Sequence, residues 1–186
     1  MEPVVLRTER LVLSPARLDD VDHATALLQE PVMATMLASL PWPYTRADSV
    51  HYIGTMVPAG WASGDALSWA IRESADGPPL GDISWRPPRG DVGYWLGAPY
   101  RGRGYMTEAL RAVVDWVFAR TPELDRVGWE AVVGNVASAR VARAAGFRYD
   151  GERPVEIDFR DGTRPMGWHG YRLRDDDGGV HAGWPL

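Results

Sequence analysis

The residues best suited to chemistry form a glycine-rich stretch near the middle of the chain. The segment Arg101–Met106 reads RGRGYM and follows the run VGYWL at 92–96. This order predicts a strand, a turn and the beginning of a helix. Unpaired backbone N–H groups and the helix dipole favour anions at such a position, and two arginines add positive charge. The segment therefore predicts a phosphate-binding site.

Three phosphate-binding motifs compete for this segment. The dinucleotide fingerprint G-x-G-x-x-G lacks its third glycine, because Thr107 stands at that position. The ATP/GTP loop requires a lysine, and the chain contains none. The acyl-CoA pyrophosphate pattern R/Q-x-x-G-x-G/A matches Arg101–Tyr105 and departs from the chain only at Met106. The third motif is therefore favoured.

With this motif the chain resembles the GNAT N-acetyltransferases, in the branch of ribosomal-protein N-terminal acetyltransferases (RimJ/RimL-like). In that branch a bulky residue often replaces the last small one, as Met106 does here. Three further segments resemble the branch in the same order along the chain: Thr8–Leu13, Pro41–Pro43, and Asn135–Ser138 with Gly146–Phe147. The resemblance extends over residues 4–174.

The resemblance implies an α+β fold with a central mixed, mostly antiparallel sheet flanked by helices. It implies a splay between the strands that end near Leu96 and Val133, with acetyl-CoA bound in the splay. A backbone N–H near Leu96 would stabilise the thioester oxygen. The implied cofactor-binding residues are Tyr94, Trp95, Leu96, Arg101, Gly102, Arg103, Gly104, Tyr105, Met106, Thr107, Asn135, Ser138, Arg140 and Arg143. For the two helix arginines, Arg140 and Arg143, surface charge is an equal alternative.

Two catalytic roles follow from the resemblance. Many GNAT enzymes protonate the thiolate with a tyrosine, but that position is Ala142 here. Ser138 then inherits the role, as a hydrogen-bond donor rather than a strong acid; the alternative is that Asn135 caps a helix and Ser138 lies on the surface. The general base is expected in the strand before the final turn, as Glu156 or Asp158, although both could simply be solvated carboxylates.

Selection of the acceptor is expected from aromatic residues near the substrate side. Trp42, Tyr44 and Trp85 are the candidates, with Trp61 and Trp168 as weaker ones. For any single aromatic residue, burial in the core is the more common outcome. The Pro-Trp-Pro setting of Trp42 favours a loop.

Composition narrows the remaining possibilities. The 186 residues suit one domain, taken as residues 1–174, followed by an acidic, glycine-rich tail at 175–186 that we expect to be mobile. A net charge of −5 disfavours broad nucleic-acid binding. The absence of cysteine excludes a disulfide and a thiolate metal site, and four scattered histidines make zinc unexpected. No leader segment or membrane-length apolar run is visible, so we expect a cytoplasmic protein. We expect it to be a monomer or a homodimer.

Periodicity and turn residues predict the order of elements. The predicted elements are a strand at 4–13, helices at 18–28 and 45–57, strands at 67–73, 80–86 and 92–96, a helix at 105–120, a strand at 126–133, a helix at 137–145, and a hairpin of strands 147–159 and 166–174.

Together these features predict an acetyl-CoA-dependent N-acetyltransferase without a metal. The acyl group would pass by direct attack to a primary amine on a protein N-terminus or a small molecule, which requires no cysteine nucleophile. The alternatives are a non-catalytic acyl-CoA-binding sensor of the same fold and a protein that keeps the fold without binding CoA.

Overall fold

A computed structural model describes residues 1–37 and 39–186. One sheet of the described chain contains eight strands: β1 Leu6–Arg7, β2 Val12–Ser14, β3 Leu67–Arg72, β4 Gly81–Arg86, β5 Asp91–Leu96, β6 Arg126–Val132, β7 Arg148–Pro154 and β8 Met166–Leu173. Their order is β1-β2-β3-β4-β5-β6-β8-β7, and every neighbouring pair is antiparallel except β5 with β6. The predicted mixed, mostly antiparallel sheet is confirmed.

Helices cover both faces of this sheet. Their bounds are α1 Val21–Leu28, α2 Pro31–Met36, α3 Arg46–His51, α4 Val57–Ser63, α5 Tyr105–Arg120 and α6 Val136–Ala144. Short 3-10 turns occur at Leu18–Asp20 and Ala98–Tyr100, and a π-helical segment at Tyr52–Met56 joins α3 to α4.

Several predicted bounds are wrong. The opening strand is a hairpin of β1 and β2, because Thr8 closes a turn through hydrogen bonds with Leu11. The helix capped by Thr45 and Asp48 continues through the π segment to Ser63, beyond its expected end near Val57. Helix α2 was not predicted at all.

Helix α5 has the bounds expected from its apolar period. Its side chains Ala109, Leu110, Val113 and Val114 are fully buried against the sheet, in the cluster that also holds Trp129. Tyr94 packs against this cluster, whereas its neighbour Trp95 packs with Leu28, Met33 and Tyr44. Because alternate strand residues point to opposite faces, α5 and α6 lie on one face and α1 to α3 on the other.

The sheet opens between β5 and β6. These two parallel strands are paired only at Asp91 with Gly128 and at Val92 with Trp129. Beyond those positions the segments 93–96 and 130–132 diverge, which confirms the expected splay. The closed end is held by ion pairs, because Arg89 contacts both Asp91 (2.9 Å) and Glu130 (2.8 Å).

The C-terminal tail, for which a mobile segment was predicted, contacts the domain through two of its side chains. Asp176 forms an ion pair with Arg148 on β7. Further on, the Trp184 ring lies 5.5 Å from that of Trp129 and 5.6 Å from that of Tyr149. These aromatic contacts explain why an acidic, glycine-rich composition alone was misleading. No helix among the described residues is long and apolar enough to cross a membrane.

Candidate active site

The open edge of β5 presents backbone groups to the splay. The Gly97 N–H donates to the Leu80 carbonyl oxygen (2.9 Å), and at the other end of β5 the Gly128 N–H of β6 donates to the Gly90 carbonyl oxygen (2.7 Å). Because backbone groups alternate in direction along a strand, the odd-numbered residues of β5 face β4, and the N–H groups of Tyr94 and Leu96 point away from β4 and into the splay. Arg101 Nε donates to the Leu96 carbonyl oxygen (2.8 Å). The strand therefore offers N–H donors along its free edge.

The glycine-rich loop follows β5 and opens α5. Gly102 and Gly104 have φ of +77° and +79°, a backbone region that disfavours every residue with a Cβ, and Gly104 is the N-cap of α5. Residues 101–104 are exposed and lead into the first turn of α5, whose N–H groups have no partner within the helix. The predicted order of strand, turn and helix is confirmed.

Three side chains at the loop have different surroundings. Met106 is 4% exposed and packs in the core, which explains how a bulky residue is accommodated where the motif has a small one. The Tyr105 hydroxyl donates to Glu73. Thr107, the next residue of α5, is half-buried. A ligand at the loop would therefore contact the backbone of Met106 and not its side chain.

The cations at the loop are held to different degrees. Arg101 binds Glu30 through both terminal nitrogens, at 2.6 and 2.9 Å. The guanidinium of Arg103 is exposed and has no hydrogen bond or ion pair within the part of the chain that the structure describes. Arg101 is therefore partly neutralised, whereas Arg103 keeps its full charge for a ligand.

A third arginine supports the loop from the first hairpin. Arg10 donates to the Arg103 carbonyl oxygen (3.0 Å), pairs with Glu108 (2.6 Å) and lies over the Tyr105 ring. Burial raises the pKa of Glu108, but hydrogen bonds from Thr8 and Arg10 outweigh it and leave the pKa below its ordinary value. Sequence reasoning missed Arg10 because 93 residues separate it from the loop.

The junction between β6 and α6 carries the second group of expected residues. The Asn135 side chain accepts from the Ser138 N–H (3.2 Å), so Asn135 caps α6 as its alternative interpretation predicted. Ser138 Oγ accepts from the Trp129 indole N–H (3.2 Å), and the Tyr94 hydroxyl donates to the Ser138 carbonyl oxygen (2.9 Å). Burial raises the pKa of Tyr94, so this hydroxyl stays protonated.

The rest of α6 agrees with the expected helix. Ala142 is fully buried and leaves no hydroxyl at the position of the usual tyrosine. Gly146 follows the helix with φ of +87°. Arg140 and Arg143 are exposed on its outer side.

The predicted placement of the base candidates on a strand is wrong. Strand β7 ends at Pro154, so Glu156 and Asp158 lie in the following loop and do not share a strand face. The Val155 N–H donates to the Pro165 carbonyl oxygen, after which the chain leaves the β7–β8 ladder. Both side chains are about three-fifths exposed, and the hydrogen bond from Arg164 lowers the pKa of Asp158.

The aromatic candidates divide by exposure. Trp42 is 38% exposed, in keeping with a loop that can contact a partner. Trp85 and Tyr44 are 4% and 5% exposed; Trp85 belongs to the main core, and Tyr44 packs with Leu28. Burial of both side chains agrees with the alternative interpretation, in which the aromatic residues belong to the core. The weaker candidates Trp61 and Trp168 are buried as well.

One buried carboxyl, on β4 next to β5, was not predicted from the sequence. Asp82 lies across from Trp95 and accepts from Ser68 Oγ (3.0 Å) and the Tyr52 hydroxyl (3.4 Å). No cation contacts it within the described residues. Burial therefore raises the pKa of Asp82 to about 7. A cavity of about 30 Å³ adjoins Asp82 and Tyr44. An isolated aspartate on an alternating strand carries no pattern that marks it.

These features define an acyltransferase-like α+β fold whose sheet opens between β5 and β6 beside a glycine-rich helix N-terminus. The model of the Acetyltransferase (GNAT) domain family matches residues 10–148, and the chain belongs to this family. Among the described residues, no group of three or more His, Asp or Glu side chains could hold a metal ion.

Comparisons with individual proteins agree with the RimJ/RimL-like branch. YdaF of Bacillus subtilis (strain 168), provisionally named a ribosomal N-acetyltransferase, is 33% identical over 81 residues. That stretch covers 44% of this chain and 40% of YdaF, so less than half of the relative is matched.

Solved structures share the fold over most of the chain. RimL, a ribosomal L7/L12 α-N-protein acetyltransferase crystallised with coenzyme A, has a TM-score of 0.73 and 22% identity, covering 94% of this chain and all of RimL. The microcin C7 self-immunity acetyltransferase MccE, with acetyl-CoA and AMP, has a TM-score of 0.73 and 19% identity, with 89% and 93% covered.

Proposed function

We propose that this protein transfers an acetyl group from acetyl-CoA to the primary amine of a protein N-terminus. The observation that carries the proposal is the free edge of β5, with the N–H groups of Tyr94 and Leu96 directed into the splay beside the glycine-rich loop. An extended, amide-containing pantetheine arm can pair with such an edge as a missing strand would.

The pyrophosphate of the cofactor would occupy the beginning of α5. Backbone N–H groups after Gly104 and the charge of Arg103 supply attraction, while Arg10 and Arg101 hold the loop in shape. Similar folds crystallised with coenzyme A or acetyl-CoA, RimL and MccE, support this assignment.

The reaction would proceed by direct attack. The amine attacks the thioester carbonyl carbon, and the negative charge that develops on oxygen is stabilised by the backbone N–H of Leu96; preorganised donors of this kind contribute about 3–4 kcal/mol. The C–S bond then breaks with its electron pair passing to sulfur. Ser138, hydrogen-bonded at the cleft junction, donates a hydrogen bond to the departing thiolate.

The amine must lose a proton to a base. Glu156 and Asp158 remain the candidates that the family resemblance implies. Asp158 is the weaker of the two, because its ion pair with Arg164 lowers its pKa and thus its basicity. The backbone N–H of Glu156 donates to Glu130, which keeps this residue beside β6 at the closed end of the splay.

The names of the similar proteins indicate the class of amine acceptor. RimL acts on the α-amine of a ribosomal protein, and YdaF carries a ribosomal name. A ribosomal acceptor implies a cytoplasmic enzyme. The exposed Trp42, in its Pro-Trp-Pro loop, would contact the acceptor. A small-molecule amine is the second candidate, favoured by the likeness to MccE, a microcin self-immunity protein.

Calorimetry with acetyl-CoA, followed by thiol release against peptides and small amines, tests the proposal. Peptides that begin with the N-terminal residues of ribosomal proteins should be acetylated faster than a small-amine panel. Binding without turnover on any amine would indicate a sensor. Absence of acetyl-CoA binding would leave only the shared fold.

A further inference from the structure

The hydrogen bond to Ser138 has a defined direction. A tryptophan indole N–H can donate but cannot accept, so in the 3.2 Å contact with Trp129 the Ser138 oxygen is the acceptor. Trp129 is 3% exposed, which keeps competing water away from this contact. The hydroxyl hydrogen of Ser138 must therefore point away from the indole.

The other polar groups of this turn are already bonded. The Ser138 N–H donates to Asn135, and its carbonyl oxygen accepts from the Tyr94 hydroxyl. The side chains of Tyr94 and Ser138 are also in hydrogen-bond contact, and because the Tyr94 hydrogen goes to the Ser138 carbonyl oxygen, the Tyr94 oxygen can accept from the Ser138 hydroxyl. The serine hydroxyl is thus held as a donor on the Tyr94 side of the turn, beside the splay in which the proposed thioester lies.

The C-terminal tail supports the indole. The Trp184 ring packs against Trp129 at 5.5 Å, tilted by 56°, and its own N–H donates to the Phe147 carbonyl oxygen (3.3 Å). Trp129 is consequently fixed by packing from a segment outside the splay, and it does not itself need to contact the cofactor.

We propose that Trp129 is a positioning residue that makes Ser138 a hydrogen-bond donor to the departing thiolate. This inference rests on the proposed acetyl transfer. When the C–S bond breaks, its electron pair goes to sulfur, and the oriented hydroxyl stabilises that charge while keeping its proton. The sulfur is then protonated from solvent. Without the indole N–H, the serine hydroxyl could turn to other acceptors, such as backbone carbonyls of α6.

The test is a double-mutant cycle on turnover. Trp129→Phe keeps an aromatic ring and removes the donor; a neutral hydrogen bond of about 0.5–1.5 kcal/mol corresponds to a kcat about 2- to 12-fold lower. Calorimetry should give an unchanged Kd for acetyl-CoA. In the Ser138→Ala background, Trp129→Phe should cause no further loss, because the two residues act through one interaction.

Three outcomes would overturn the inference. Additive losses in the double variant, or an unchanged kcat in Trp129→Phe, would assign Trp129 to packing alone. Wild-type turnover in Ser138→Ala would remove the role of the serine while leaving acetyl transfer intact. A wild-type protein that releases no thiol would instead refute the proposed function itself.

Trp184→Leu provides a second variant if Trp129→Phe does not fold. It retains the indole N–H but loosens its support, so kcat should fall by a smaller factor than in Trp129→Phe. That loss should also vanish in the Ser138→Ala background. A loss that persists there would count against the inference.

Discussion

The two ends of the cofactor cleft are stabilised by different kinds of interaction. At the loop end, charged side chains dominate: Arg10, Arg101 and Arg103 are cations, and Glu30 and Glu108 hold two of them. At the junction end, between Tyr94, Trp129 and Ser138, neutral hydrogen bonds take their place. The loop is exposed, whereas the junction is half-buried at Tyr94 and Ser138 and buried at Trp129.

This division follows from the cost of burying charge. Exposed arginines remain solvated and can still attract a diphosphate, but an unpaired charge at a buried junction would be expensive. Neutral donors can be kept dry at a lower cost, and they suit an uncharged thioester. The distribution of charge along the cleft therefore parallels the one along acyl-CoA.

The largest effect is expected at Asp82. It tests whether this buried part of the sheet is uncharged, like the junction between Tyr94, Trp129 and Ser138. The pKa of Asp82 rises from 3.8 to about 7 on folding, so the folded state binds an additional proton between these values. The contribution of Asp82 to stability should therefore be greatest at low pH and fall as the pH rises from 4 to 7. Asp82→Asn should remove this fall, measured as the free energy of unfolding in urea across that range.

Asp20→Asn serves as the matched control with the opposite sign. Burial raises the pKa of Asp20, but the hydrogen bonds and charge of the fully buried Arg72 outweigh it and lower the pKa. Its contribution to stability is present above pH 3.8 and lost as the pH falls through the folded pKa. Asp20→Asn should therefore destabilise at neutral pH. An Asp82→Asn variant that does the same would show that Asp82 is ionised and the comparison false.

At the loop end, Gly104→Ala should weaken acetyl-CoA binding about 5- to 30-fold, the equivalent of about 1–2 kcal/mol. A Cβ at φ of +79° is strained, and it would meet Arg10 at 3.4 Å. The backbone cost is about 1–2 kcal/mol. Gly64→Ala, at φ of +83° with open space around it, carries the same strain at the end of α4. Calorimetry should show an ordinary Kd for Gly64→Ala; equal losses in both variants would contradict a role for the loop.

A smaller effect is expected for Arg103, the loop arginine whose guanidinium forms no ion pair with the described residues. Arg103→Ala should weaken acetyl-CoA binding several-fold at low salt and flatten its salt dependence, because exposed charges are screened by added ions. Arg120→Ala, an exposed arginine at the far end of α5, is the control. Ser138→Ala at the neutral junction should leave the salt dependence unchanged. A salt response at Ser138 equal to that at Arg103 would remove the distinction between the two ends.

Local patterns in the chain were sufficient for the elements that carry the cofactor. The apolar period of residues 105–120 predicted α5 with its observed bounds, and the helix expected at 137–145 is present as α6. These features depend on neighbours three or four residues apart. The RGRGYM motif with the order of three other segments was enough for the family.

The structure departs from simple expectations of composition and counting where segments distant in sequence meet. Trp85 and Tyr44 are residue types that often contact ligands, but packing in the hydrophobic clusters buries both side chains. Glu156 and Asp158 were placed by counting along a strand that ends earlier, at Pro154. The tail packs through Trp184 although its composition suggests a mobile segment. In each case the partner lies far away in sequence, and spacing carries no information about it.

The amino-acid sequence alone determined the family, the α+β class and the position of the glycine-rich turn, because these depend on local backbone preferences and short motifs. Only the tertiary structure decided which charges are neutralised, which aromatic residues are buried, and which side chains contact the Ser138 hydroxyl. Those properties depend on contacts such as Arg10 with the loop and Trp129 with Ser138, which exist only after the chain has folded.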